Sequence, residues 1–182
     1  MLVIRSADAN ETAAAWRLAI EHTGGPVALV LTRQNLPVLD LQQFPHIPSG
    51  VRAGEYVLAN TPGNQTPQII LVATGSEVHL ALAARQELNK RGVPSRVVSL
   101  PCWNLFEAQP DDYRRAVLPP EVPLLAIEAG IPLGWRPYVG PGNAVVGVEH
   151  FGASAPGPVL LREYGLSIEA VTRQALDALG KH

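Results

Sequence analysis

Short apolar runs separated by turn residues, with helical stripes between them, set the rhythm of this chain. Ser95-Arg96-Val97-Val98-Ser99-Leu100, Leu124-Leu125-Ala126-Ile127 and Ala144-Val145-Val146-Gly147-Val148 read as strands, while Val27-Ala28-Leu29-Val30-Leu31 and Gln68-Ile69-Ile70-Leu71-Val72-Ala73 are near-continuous apolar runs. Runs of this kind predict strands buried on both faces. Between them the period changes. Asp8 with Glu11 three residues later opens a helix through Ala13–Ile20 that stops at Gly24-Gly25. Glu77–Lys90 carries the stripe Val78, Ala81, Leu82 and Leu88, with Ser76 before it and Gly92 after it. A short helix is predicted around Asp111–Val117. The last starts at Ile168 behind a Ser167 cap, with Val171, Ala175, Leu176 and Leu179 facing the core.

Strands alternating with helices predict a three-layer α/β/α fold around a mostly parallel sheet. The first helix and strand form only half a layer. Residues 41–67 are rich in Pro and Gly and show little period beyond a short strand at Glu55–Leu58, so they read as a connector. The expected division is a remnant of one α/β domain over 1–45, a linker over 46–67 and a domain over 68–182.

Composition narrows the function classes. A net charge of −2 on 182 residues gives no footprint for nucleic acid and no basic membrane-binding face. The N-terminal residues lack a secretory pattern, and no apolar run approaches membrane-span length. With one cysteine and no internal disulfide, the expectation is a soluble, cytoplasmic protein.

Candidate chemistry gathers at strand ends, where parallel sheets bind ligands. Arg33 follows the first strand within Thr32-Arg33-Gln34-Asn35. Its planar fork suits a phosphate or carboxylate, and pairing with a structural carboxylate or capping loop carbonyls is the plainer alternative. Thr74-Gly75-Ser76, between strand and helix, reads as an anion-binding turn or an ordinary N-cap. Glu128 ends a strand, as a general base or a structural acceptor. Cys102 and His150 raise a thiol–imidazole pair that no periodicity brings together. His22, His46, His79 and His182 lack metal-ligand spacing. Gly134–Gly147 has glycines but no strand ahead of a G-x-G-x-x-G, so it is not a dinucleotide fingerprint.

Eight stretches in order resemble the transketolase family: RSADANETAAAW (Arg5–Trp16), TRQNLP (Thr32–Pro37), ATGSEV (Ala73–Val78), LFEAQ (Leu105–Gln109), YRRAVLP (Tyr113–Pro119), IEAG (Ile127–Gly130), YVG (Tyr138–Gly140) and FGASAP (Phe151–Pro156). The resemblance implies the end of the pyrimidine-binding domain followed by the C-terminal domain of an enzyme of the pentose phosphate pathway. That transferase moves two-carbon ketol units between sugar phosphates. The family's arginine in this motif meets the substrate phosphate, which assigns Arg33 that role, with Gln34 and Asn35 positioning the loop. Thiamine diphosphate and magnesium belong to the complete enzyme, but the G-D-G motif and the activating glutamate do not occur in this sequence. The isolated chain is therefore expected to be inactive and to bind neither cofactor. A homo-oligomer or a companion N-terminal polypeptide is the expected assembly. Ser6 and Cys102 depart from the family's usual proline and serine. A stand-alone binding module, or part of another thiamine-diphosphate enzyme, is the alternative. The unfinished first layer is expected to leave Trp16, Leu18 and Val27–Leu31 uncovered, with self-association or a disordered first segment as the result.

Overall fold

A computed structural model of the chain describes residues 1–140 and 144–181. Residues 141–143, inside the glycine-rich Gly134–Gly147 stretch, and His182 lie outside the described residues. The core element is β4 (Ile69–Ala73), buried at every position. Alternation across the sheet sends Ile69, Leu71 and Ala73 to one face and Ile70 and Val72 to the other. β6 (Leu124–Ile127) repeats the split, with Leu125 and Ile127 on the first face and Leu124 and Ala126 on the second.

Among the described residues five strands form the sheet in the order β3-β5-β4-β6-β7, with β3 at Tyr56–Ala59, β5 at Ser95–Ser99 and β7 at Ala144–Val146. The last four strands are mutually parallel, and β3 (Tyr56–Ala59) closes one edge antiparallel to β5. The first face is covered by α3 (Glu77–Lys90), through Val78, Ala81, Ala84 and Leu88, and by α8 (Ile168–Ala178), through Val171 and Ala175. The second is covered by α4 (Trp103–Glu107), α5 (Asp111–Val117) and α6 (Arg136–Val139), which contribute Phe106, Val117 and Val139 beside Trp135. Each Ile or Leu sealed between these layers contributes about 1.5–3 kcal/mol of apolar burial. The three-layer, mostly parallel architecture follows.

The stretch read as a connector is more ordered than its composition suggests. It holds α2 (Ile47–Ala53) as well as β3, and β3 pairs with β5 as a true edge of the sheet. Gly50 lets α2 lie flat on the Tyr56 ring, where any side chain would collide. Gly54 ends α2 at φ +88°, pressed against the backbone of Cys102 and Phe106.

The first unit is β1 (Leu2–Arg5), α1 (Ala9–Glu21) and β2 (Val27–Val30), with β1 and β2 parallel. β2 is not buried on both faces as its sequence suggested: among the described residues its only strand partner is β1, so Val27–Leu29 are half-buried and Val30 is exposed. Leu18 is also covered, in a cluster of Ile4, Ala15 and Leu18 with Val51 and Cys102 of the following segments. Trp16 and Ile20, one turn apart on α1, do stay exposed, at 55% and 78%. The segment is folded against the larger sheet.

Candidate functional site

The site is built on the C-terminal ends of the parallel strands, and three polar constellations occupy that edge. The first is the loop after β2. Thr32 Oγ1 accepts from Gln34 N (3.2 Å), a local turn that turns the chain out of the strand. Arg33, at its apex, is exposed, and no hydrogen-bond or ion-pair partner holds it among the described residues. The plainer alternative, an arginine tied to a structural carboxylate, is not what is observed. Gln34 packs toward Gly157, where an added Cβ would lie 3.2 Å from its amide nitrogen. It also lines a cavity of about 710 Å³ with Ile131, Phe151, Leu160 and Tyr164. Farther along, Leu39 N donates to Asp8 Oδ2 (2.7 Å) and Asn10 Nδ2 donates to Leu39 O (2.7 Å), so the loop returns to the start of α1.

The second constellation surrounds Glu11, a fully buried carboxylate. Asp8 Oδ1 caps α1 by accepting from Glu11 N (2.8 Å). The Glu11 side chain accepts from Ala7 N (2.7 Å) at Oε2, and from Tyr56 Oη (2.7 Å) and Ser99 Oγ (2.6 Å) at Oε1. Tyr56 and Ser99 belong to β3 and β5, so this carboxylate ties the first unit to the large sheet. Burial raises the Glu11 pKa, and the three hydrogen bonds hold the rise down.

The third joins Arg5, Glu77 and Glu128. Arg5 Nη1 donates to Glu128 Oε2 (2.6 Å) and Nη2 to Glu77 Oε2 (3.3 Å). Trp135 Nε1 donates to the same Glu128 oxygen (3.1 Å). Burial alone lowers the Arg5 pKa, but the hydrogen bond and charge of Glu128, with the charge of Glu77, leave it raised. Burial raises Glu77, against the Ser76 hydrogen bond and the charge of Arg5. Glu128 is thus a structural acceptor, the plainer of its two sequence readings.

The remaining candidates separate. Gly75 makes the turn of Thr74-Gly75-Ser76 at φ +61°. Ser76 is the cap residue, but its side chain caps no backbone N–H; Oγ donates to Glu77 Oε1 (2.6 Å) instead. The first turn of α3 therefore already carries its own anion. Cys102 is buried between α1 and α2, where burial raises its pKa. His150 lies elsewhere, edge-on to Tyr164 with ring centres 4.6 Å apart, and no thiol–imidazole pair forms. His79 Nε2 donates to Ala7 O (3.0 Å) as another junction contact. Among the described residues no group of three or more His, Cys, Asp or Glu side chains could hold a metal ion, and no helix is long and apolar enough to cross a membrane.

A mixed sheet with one antiparallel edge, wrapped by helices and preceded by a docked β-α-β piece, makes this a three-layer α/β/α protein. The family described as "Transketolase-like TK C-terminal domain" matches residues 54–167. The transketolase of Geobacillus stearothermophilus is 49% identical over 180 residues, 98% of this chain and 27% of that one. The transketolase of Aquifex aeolicus is 45% identical over 176 residues, 96% of this chain and 25% of that one. The solved transketolase from Leishmania mexicana superposes with a TM-score of 0.89 at 41% identity, over 98% of this chain and 25% of that one. This chain belongs to the transketolase family, and it spans about a quarter of the length of those relatives.

Proposed function

We propose that this chain is the part of a transketolase that presents Arg33 to the phosphate end of a sugar-phosphate substrate during two-carbon ketol transfer. The observation that carries the reading is an unpaired, exposed guanidinium on a loop held at both ends. A phosphate dianion offers oxygens at the spacing of a guanidinium fork, and each charge-assisted hydrogen bond of this kind contributes about 1.5–3 kcal/mol. Arg33 binds and orients; it transfers no proton.

Thiamine diphosphate and magnesium supply the carbanion chemistry of transketolases when bound. Among the described residues no group of three or more His, Cys, Asp or Glu side chains fits the metal. The cofactors are therefore assigned to other polypeptide, a companion chain or a longer version of this one, with which the chain assembles in the cytoplasm. In this reading residues 1–45 are the end of the pyrimidine-binding domain, 46–67 the join and 68–182 the C-terminal domain. β3 is the part of the join that the sheet has taken up.

The test is a two-part assay. The purified chain is expected to show no turnover of xylulose 5-phosphate with ribose 5-phosphate. Supplied with the missing domains, the enzyme is expected to be active, and Arg33→Ala to raise KM about 10–100-fold with little change in kcat. Arg33→Lys, keeping charge but losing the fork, should fall between. An unchanged KM in Arg33→Ala refutes the role.

A further inference from the structure

Strand order singles out one crevice. The chain leaves β4 toward β5 on one side and leaves β6 toward β7 on the other, so the ends of β4 and β6 form the topological switch point of the sheet. In open parallel sheets this is where a ligand inserts. Here the crevice is walled by Glu77, after the β4 turn, and Glu128, at the end of β6, both buried. Gly75 makes the turn beside the Arg5 side chain at φ +61°, a conformation that favours glycine. Trp135 Nε1 fixes Glu128 from behind. Two carboxylates facing one gap without a cation between them carry a large desolvation and repulsion cost.

The gap is not empty, and its occupant is not foreign. The Arg5 side chain, from the end of β1 in the first unit, inserts one nitrogen toward each carboxylate, at 2.6 and 3.3 Å. Its backbone N is also pinned, donating to Pro101 O (2.9 Å). A planar two-ended cation spans carboxylates on separate elements, whereas an ammonium reaches one of them well. We infer that the switch-point crevice of this domain is a guanidinium-binding site whose resident ligand is Arg5, so that docking of the first unit is a binding event inside one chain. The position where related architectures take a small molecule is thereby closed by the chain itself. This stands apart from the substrate role of Arg33 and survives its failure.

The experiment removes the ligand and returns it free. In the 182-residue chain, Arg5→Ala is expected to lower the thermal midpoint by about 5–10 °C, discounted for the partial exposure of the guanidinium. Millimolar ethylguanidinium is expected to recover about half of that loss, while equal sodium chloride and ethylammonium recover little. The wild type, its crevice filled, should not respond, and neither should Arg5→Ala combined with Glu128→Gln. Arg5→Lys should sit between wild type and Arg5→Ala and respond weakly. If Arg5→Ala does not fold alone, ethylguanidinium during refolding is expected to restore the folded far-UV signal. Rescue absent in both formats, equal rescue by ethylammonium, or equal rescue in the double variant overturns the inference.

Discussion

Glu11 offers the sharpest energetic test of how the two units are joined. In Glu11→Ala, Ala7 N, Tyr56 Oη and Ser99 Oγ all lose their acceptor in a buried space. Each stranded donor costs about 1–3 kcal/mol. Two are hydroxyls that can turn, and water entering the vacated volume recovers part of the loss. Relief from burying the carboxylate recovers more. The expected net cost is about 3 kcal/mol, a midpoint drop of about 6–12 °C for a chain of this size. Glu11→Gln should cost only about 1–2 kcal/mol, because its oxygen can keep the fixed Ala7 N–H while its NH₂ faces the two hydroxyls, which can turn to accept. The folded pKa of Glu11 lies above the ordinary 4.5, raised by burial. Its protonated form is therefore favoured by folding, and the stability this contributes is full below 4.5 and lost as pH rises through the folded value. The gap between wild type and Glu11→Gln should narrow over that window. Urea unfolding followed by tryptophan fluorescence, at acid and neutral pH, measures both effects. If Glu11→Ala costs less than about 1 kcal/mol, or Glu11→Gln costs as much as Glu11→Ala, the junction is not held by this carboxylate.

Glu55 is fully buried with neither carboxylate oxygen hydrogen-bonded among the described residues, and burial raises its pKa well above 4.5. Glu55→Met, similar in volume, is expected to stabilise the chain by about 1–3 kcal/mol at neutral pH, and wild type should lose ground to it as pH rises above the ordinary carboxylate value; a parallel pH dependence in thermal melts would rule this out. The exposed apolar positions Trp16, Ile20, Val30 and Leu31 on the first unit predict self-association of the isolated chain, weakened by Trp16→Glu with Ile20→Lys. Light scattering showing a monodisperse monomer for the unsubstituted chain contradicts it.

What the sequence disclosed tracks how much of each element's order is local. β4, α3 and β6 announce themselves because a strand buried on both faces is apolar throughout, and a helix on a sheet shows its stripe. α2 (Ile-Pro-Ser-Gly-Val-Arg-Ala) shows none, since a seven-residue helix holds only by what it packs on, here Tyr56 through Gly50. α4, α6 and α7 (Gly157–Glu163) are short for the same reason. β1 has four residues, and its partner β2 misled in the opposite direction, apolar enough for a core it does not reach within this chain. At the site, Arg33 stood out by position and by resemblance. The Arg5–Glu77–Glu128 cluster did not, because its pairs are 72 and 123 residues apart and no periodicity connects them. Glu11 was visible as half of a capping box. Its side chain instead passes the cap residue to reach Ala7 and two strands of the other unit, a use that only tertiary structure creates.

These junction contacts bear on function through the placement of one loop. Arg33 is carried on a loop whose far end is bound to Asp8, while Asp8 begins the helix whose third residue, Glu11, is locked to Tyr56 and Ser99. Arg5, just ahead of that helix, is locked between Glu77 and Glu128. The larger sheet with its loops supplies Tyr56, Ser99, Glu77 and Glu128 to this arrangement. Its contribution is rigidity: two buried charge networks fix the start of α1, and the start of α1 fixes the loop. In the proposed role of Arg33, an error of an ångström at the guanidinium would displace the whole substrate, since the phosphate would set where the reacting carbon lies. If Arg33 binds a substrate phosphate as proposed, the larger sheet acts by holding that arginine still, and loosening either network should raise KM without any change at Arg33 itself.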